Sequence, residues 1–148
     1  MEKIIKYRIL PELSLIIEYL GGKVDGDDAI NLKIIEKKDP NYNPNYNCLV
    51  DFRDTDIYMN DEGMISMSKF IEFFKGEKVV LSKRKSALLT SEPQQVVLST
   101  LLKEFSVELP AYFDIFSTLQ SSMVFINCPL SNAQVINDVI IKLKTNAA

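Results

Sequence analysis

The sequence predicts an α/β fold, a mixed sheet of about five strands opened by a β-hairpin, with helices packed on the sheet. Three observations support this prediction. The first residues alternate between apolar and polar side chains, as an antiparallel hairpin does. Short apolar runs bounded by turn residues follow, which is typical of strands covered on both faces. Between these runs, apolar residues recur at helical spacing.

The opening hairpin is predicted from two alternating segments. Ile5, Tyr7 and Ile9 alternate with charged residues, and after a proline turn the alternation continues through residues 13–19. The two glycines at 21–22 end the second strand. The two segments are therefore predicted to pair as the strands of a hairpin.

The first helix is predicted to begin after Asp25, which has a second acid, Asp28, three residues later. This spacing is that of an acidic N-cap and first turn. Ala29, Leu32 and Ile35 are expected to face the core.

A central strand and a second helix are predicted next. Residues 48–52 are a short apolar run, and Asn60 is the expected cap of a helix that ends at Gly76. The apolar residues of this helix follow the i, i+3, i+4, i+7 rule: Met67, Phe70, Ile71 and Phe74.

The remaining chain predicts two more strands, at residues 86–90 and 112–116, with a helix between them that starts near Pro93. Two S-x-x-Q patterns then predict helix starts, Ser117 with Gln120 and Ser131 with Gln134. In the last helix the residues expected to face the core are Ile136, Val139, Ile140 and Leu143.

Length and composition limit the number of domains. A chain of 148 residues can bury a core of its own. The segment DPNYNPNYN at residues 39–47 predicts an ordered surface loop and not a linker. We therefore expect a single domain spanning residues 1–148.

Composition also excludes several kinds of function. The chain has no histidine, which removes Ser-His-Asp and Cys-His catalysis and every metal site that needs imidazole. The two cysteines are 80 positions apart and form no metal-binding motif. A net charge of −3 without a basic stripe argues against nucleic acid as a partner, and no apolar run is long enough to span a membrane. We expect a cytoplasmic protein without enzymatic activity and without a cofactor.

The acids Asp51, Asp54 and Asp56 invite a different hypothesis, a Mg²⁺ or phosphoryl site at the end of a strand. No lysine follows the strand at 112–116 to complete such a site, and ion pairs around Arg53 explain the same acids. No metal site is therefore predicted.

Several short motifs resemble the bacterial STAS family, the anti-sigma-factor-antagonist-like domains. They are GKVDGDD at residues 22–28, DPNYNP at 39–44, LVDFRDTDI at 49–57 and FDIF at 113–116. The resemblance implies a regulatory or ligand-binding module, in which a partner kinase phosphorylates a serine at the start of the helix after the third strand. Asp61 stands where that serine would be, so the usual phosphorylation switch is not expected.

Two functional hypotheses follow. The first is a noncatalytic module that binds a regulatory protein through a surface formed by Asp54, Asp56, Asn60, Asp61, Glu62 and Gly63. The second is a carrier of a small apolar molecule or lipid, with a pocket between helix and sheet at Met67, Phe70 and Phe74. Phe73 lies off the apolar stripe of its helix and is a candidate contact for a ligand or a homodimer.

Overall fold

The computed structural model describes residues 2–57, 61–76, 84–105 and 112–145. Five strands form one sheet in the order β1-β2-β3-β4-β5. The strands are β1 (Ile4–Leu10), β2 (Leu15–Gly21), β3 (Asn47–Asp51), β4 (Lys85–Leu89) and β5 (Tyr112–Phe116). The helices are α1 (Gly26–Lys37), α2 (Asp61–Gly76), α3 (Pro93–Phe105), α4 (Leu119–Phe125) and α5 (Ala133–Thr145). The predicted fold class is confirmed.

The connections decide which helices share a face of the sheet. β1 and β2 are antiparallel, and the other neighbouring strands are parallel. Each parallel crossover advances to the next strand in the same direction, so right-handed connections bring α1, α2 and α3 to one face. There α2 packs between α1 and α3, while α4 and α5 pack on the opposite face. Among the described residues, no helix is both long enough and apolar enough to cross a bilayer.

The core has two layers, one on each side of the sheet. Ile16, Cys48 and Leu88 point toward α1, α2 and α3, whereas Ile17 and Leu49 point toward α4 and α5. All seven residues of β2 are buried. This complete burial follows from the helices that cover both faces of the strand.

The start of α1 follows the sequence prediction. Asp25 caps the helix by accepting a hydrogen bond from the Asp28 N–H at 2.9 Å, and the Asp28 carboxylate accepts one from the Asp25 N–H at 3.0 Å. Leu32 is buried as predicted, but Ile35 is 54% exposed. Glu36 is buried in its place, because charged groups of the sheet layer meet this side of the helix.

The second helix ends at Gly76, as predicted. Met67 and Ile71 are buried, and Phe70 and Phe73 pack half-buried against the same core layer. Phe73 is thus a core contact rather than a residue of an exposed patch. The predicted cap, Asn60, lies outside the described residues.

The last two helices begin differently from the prediction. Thr118, and not Ser117, caps α4 by accepting a hydrogen bond from the Ser121 N–H at 3.1 Å. Ser131 lies in a 3₁₀ turn (Leu130–Asn132), and the Gln134 side chain donates to Asp138 at 2.8 Å instead of reaching back. The four core residues predicted for α5 are buried, so its orientation is confirmed.

The contact between α1 and α2 depends on a glycine. A Cβ atom at Gly26 would lie 2.0 Å from the Ser66 carbonyl oxygen, and the Gly26 N–H donates to the Ser66 hydroxyl. We expect Gly26→Ala to lower the free energy of unfolding by about 1–3 kcal/mol, because the two helices must move apart. Urea unfolding measures this change.

The control is Gly76→Ala, since a Cβ atom at Gly76 would meet nothing within 4 Å. Its free energy of unfolding should stay near that of the wild type. Equal losses in the two variants would contradict the proposed steric cause.

Candidate functional site

A cavity of about 120 Å³ lies between the sheet and the helices of the first core layer. Most of its wall is apolar, and the residues that contribute include Leu20, Val24, Leu32, Val50, Met67 and Phe70. An apolar cavity of about 150 Å³ holds a molecule of benzene. The size and the lining therefore suit a small apolar group.

Part of this wall comes from the start of α1, the first two turns of α2 and the segment that follows β3. Gly26 and Ser66 contribute from the two helices, and Ile57 and Gly63 line the same end. All four are half-buried. The close approach of Gly26 to Ser66 thus shapes the cavity as well as the helix contact.

The inner wall of the cavity carries charge. Glu18 projects from the middle of β2 and is 2% exposed, and the Lys33 ammonium pairs with its carboxylate. Both side chains contribute to the cavity wall. Glu36, on the next turn of α1, is completely buried, with its Oε1 3.9 Å from the Lys33 Nζ. These three residues together with Arg84 form what we call the buried charge cluster.

Arg84 precedes β4 and is almost completely buried. Its Nε donates to the Tyr46 carbonyl oxygen at 2.8 Å, and its guanidinium carbon lies 5.6 Å from the centre of the Tyr42 ring. Its Nη1 has no hydrogen-bond partner among the described residues. Arg84 therefore holds the loop at residues 39–47 against the core.

The two carboxyl groups of the cluster differ in protonation. Burial, and then the neighbouring charge of Glu18, raises the pKa of Glu36 to about 9. Burial acts in the same direction on Glu18, but the Lys33 ammonium together with Glu36 and Arg84 outweighs it and lowers the pKa of Glu18. Two adjacent buried carboxyls do not both ionise, so at neutral pH Glu36 keeps its proton while Glu18 is charged.

Cys48 lies in β3, close to the same charges. Burial, and then the charge of Glu18, raises the pKa of this thiol well above its ordinary value. Burial also raises the pKa of Cys128. Both thiols therefore stay protonated at neutral pH, and neither has the thiolate character of a nucleophile.

The residues predicted to form a partner surface lie in different environments. Asp54 accepts a hydrogen bond from the Tyr19 hydroxyl at 2.7 Å and pairs with Lys144 of α5 at 3.4 Å. Burial opposes its ionisation, but the Tyr19 hydrogen bond and then Lys144 lower the pKa of Asp54. Asp56 and Glu62 are exposed.

The predicted partner surface also includes Gly63, Asn60 and Asp61, and the structure describes these three residues to different extents. Gly63 belongs to the cavity wall. Asn60 and the Asp61 side chain lie outside the described part of the chain. Among the described residues of the predicted surface, Gly63 lines the cavity, whereas Asp54 pairs with Lys144 on the opposite face of the sheet.

The acids of the metal hypothesis pair with cations of the protein. Asp51 is completely buried and accepts two side-chain hydrogen bonds from Arg53, each at 3.0 Å. Asp54 is held by Tyr19 and Lys144, as described above. In the described ranges, no three carboxylates or thiols are grouped so that they could hold a metal ion.

The predicted pocket residues lie on the inner face of α2. Met67 and Phe70 line the cavity, and the Phe74 side chain lies outside the described residues. Sequence reasoning missed the buried charge cluster. One available signal was the stripe of α1 at i, i+3, i+4, i+7, which runs Ala29, Leu32, Lys33, Glu36.

The protonation of Glu36 makes stability depend on pH. In the folded protein the pKa of Glu36 is about 9, against an ordinary value of 4.5. Between these pH values the folded state holds a proton that the unfolded chain loses, so the wild type loses stability as the pH rises. Glu36→Gln keeps a hydrogen-bond donor at this position but cannot take up or lose a proton. We therefore expect the free energy of unfolding of the variant, minus that of the wild type, to rise with pH. The slope is at most about 1.4 kcal/mol per pH unit.

Urea unfolding at several pH values between 5 and 9 measures this difference. Glu12→Gln, in the exposed turn between β1 and β2, is the control for the loss of one surface carboxylate. A difference between Glu36→Gln and the wild type that is the same at every pH would show that Glu36 is ionised in the folded protein.

Comparisons with known proteins give the fold. No protein-family model matches the chain, and no curated protein matches it. Among solved structures, the chain is similar to an uncharacterized protein of the DUF3478 family from Shewanella loihica PV-4, which is described as having a SpoIIAA-like fold. The identity is 12% and the TM-score 0.57, and the match covers 85% of this chain and 96% of that chain. The chain thus has the SpoIIAA-like, or STAS-like, fold that its motifs predicted.

Proposed function

We propose that this STAS-like domain is a noncatalytic regulatory module that binds a small apolar molecule in the cavity between α1, α2 and the sheet. The cavity is the observation that carries the proposal. Small-molecule sites are concave and mostly apolar with a few polar groups, and this cavity, which is partly open to solvent, has that form. A ligand that fills the cavity makes van der Waals contacts with the side chains of its wall.

The place of the cavity supports a regulatory role. Ile57 and Gly63 line the cavity, and the exposed side chains of Asp56 and Glu62 are next to them in the chain. A ligand seated against Ile57 and Gly63 touches the segment that the sequence predicts as a partner surface. Ligand binding would thus change the surface presented to a partner.

The chemistry of the interior supports a noncatalytic role. Histidine is absent from the sequence, and the pKa of the Cys48 thiol is raised well above its ordinary value. The Glu18 carboxylate is engaged by the Lys33 ammonium. The described polar groups at the cavity are therefore better suited to holding a ligand than to reacting with it.

Binding of 1-octanol tests the cavity. We expect octanol to shift the NMR signals of backbone amides in the cavity wall, among them Val24, Gly26 and Gly63, and to leave those of α5 unchanged. Ala29→Phe places a ring at the cavity wall, so we expect octanol to bind at least about tenfold more weakly to this variant.

The matched control is Val124→Phe, which enlarges an exposed side chain on the opposite face of the sheet. It should bind octanol as the wild type does. The absence of amide shifts at saturating octanol, or equal binding by Ala29→Phe and the wild type, would refute the cavity as a binding site. Thermal unfolding shows whether each variant is folded.

A double substitution tests the partner surface. Asp56→Ala with Glu62→Ala removes two exposed carboxylates next to the cavity wall. Native mass spectrometry of the protein purified from its own cells should show a stoichiometric protein partner with the wild type and less of it with the double variant. Octanol binding should be unchanged, and an equally occupied partner complex in both proteins would remove this surface from the proposal.

A further inference from the structure

The polar side chains in the cavity wall differ in whether they have hydrogen-bond partners. They are Glu18, Asp25, Lys33, Thr55, Ser66 and Ser86. Lys33 pairs with Glu18, and the Thr55 hydroxyl donates to a carbonyl oxygen of β2 at 2.6 Å. The side chains of Asp25 and Ser66 accept hydrogen bonds from backbone N–H groups at the start of α1. The protein itself thus engages each of these side chains apart from Ser86.

Ser86 lies in β4 and is 4% exposed, and its hydroxyl forms no hydrogen bond with any residue that the structure describes. The strand register places it beside Cys48 of β3 and Phe113 of β5. Both neighbours belong to the core layer under α1, α2 and α3, so the Ser86 side chain points into the cavity. A buried hydroxyl without a partner is costly, and a ligand that supplies the partner removes this cost.

The strand register also gives the position of Ser86 along the cavity. Ser86 pairs with Cys48 of β3, and Phe52, which lines the same cavity, lies four residues further along the chain. At about 3.3 Å per residue, this separation is roughly 13 Å along the strands. Gly26 lines the cavity at the start of α1, after the carboxyl end of β2. The wall is thus elongated, with Ser86 at one end and Phe52 toward the other.

We propose that the ligand of this cavity is an uncharged apolar alcohol, with its hydroxyl group hydrogen-bonded to Ser86 and its hydrocarbon part against Leu88, Met67 and Phe70. This inference rests on the proposed function, since it names the class of molecule that the cavity binds. The hydroxyl groups of serine and of an alcohol each donate and accept, so the hydrogen bond can form in either direction. The ligand thereby supplies the partner that Ser86 lacks.

Other ligand classes match the wall less well. A hydrocarbon fills the apolar space but leaves the Ser86 hydroxyl without a partner. A charged head group loses its hydration in the cavity, and the ions of the wall, Glu18 and Lys33, are already paired with each other. The wall thus favours a neutral hydroxyl group over a methyl group or a charged group at the same place.

Phenol and toluene test the hydroxyl contact, because one has a hydroxyl group where the other has a methyl group of similar size. NMR titration gives the dissociation constant of each for the wild type and for Ser86→Ala. We expect this substitution to weaken phenol binding at least about fivefold, as the loss of one hydrogen bond does, and to leave toluene binding unchanged or tighter.

The matched control is Ser122→Ala. It removes a buried hydroxyl on the opposite face of the sheet, where the Ser122 hydroxyl donates to the Thr118 carbonyl oxygen at 3.0 Å. The dissociation constants of phenol and toluene should both stay at their wild-type values.

Two further measurements do not depend on these affinities. In the wild type with 1-octanol, nuclear Overhauser effects should join the CH₂ group next to the hydroxyl to Ser86 and Phe113, and the terminal methyl group to Phe52. In urea unfolding without ligand, Ser86→Ala should keep or raise the free energy of unfolding, because it removes a buried hydroxyl that has no partner. A clear loss of stability would show that the protein itself already bonds this hydroxyl.

The outcomes distinguish the two proposals. If Ser86→Ala changes phenol and toluene binding equally, or changes neither, the alcohol inference fails while the cavity remains a binding site. Octanol bound with its methyl group at Ser86 would likewise overturn the assigned contact. Tighter binding of octanoate or octylamine than of octanol at pH 7 would contradict an uncharged ligand. If none of these molecules binds to the wild type, the proposed function fails as well.

Discussion

Glu18 places a carboxylate in the middle of a strand that is covered on both faces, and much of the packing on one side of the sheet follows from this charge. Breaking a buried ion pair costs about 3–5 kcal/mol, so the Lys33 partner is a strong constraint. The Glu18–Lys33 pair fixes the rotation of α1 about its own axis, so that Glu36 faces the core and Ile35 faces solvent. Arg84 extends the same cluster to the loop at residues 39–47.

The two faces of the sheet differ in where their buried carboxylates lie: Glu18 is in the middle of β2, whereas Asp51 is at the end of β3. Toward α4 and α5 the layer consists of closely packed apolar side chains such as Met123, Ile136 and Ile140. Toward α1, α2 and α3 the apolar layer meets Glu18 and Lys33, whose charges must keep polar partners. The cavity lies where this apolar layer meets the charges of Glu18 and Lys33.

Much of the fold could be predicted because its signals are local. The strands at residues 48–52 and 112–116 were found from short apolar runs, and Asp25 was found from the spacing of its capping partner. The first residue of a helix could not be predicted where two neighbouring residues can both cap it. Thr118 caps α4, although the adjacent Ser117 also carries a hydroxyl group. The direction from which the chain enters the helix decides between them, and that direction depends on tertiary contacts.

The sequence by itself determined the order of the elements and the inner faces of α2 and α5, because periodicity and capping act over a few residues. Met67 and Phe70 were identified as candidate pocket residues for the same reason. The STAS-like class came from the resemblance of short motifs in the chain to that family. Only the tertiary structure decided that a cavity exists and that Glu36 is buried. Both depend on the distances between α1, β2 and the residues before β4, and on a charge pair that joins Glu18 to Lys33 across 15 positions of the chain.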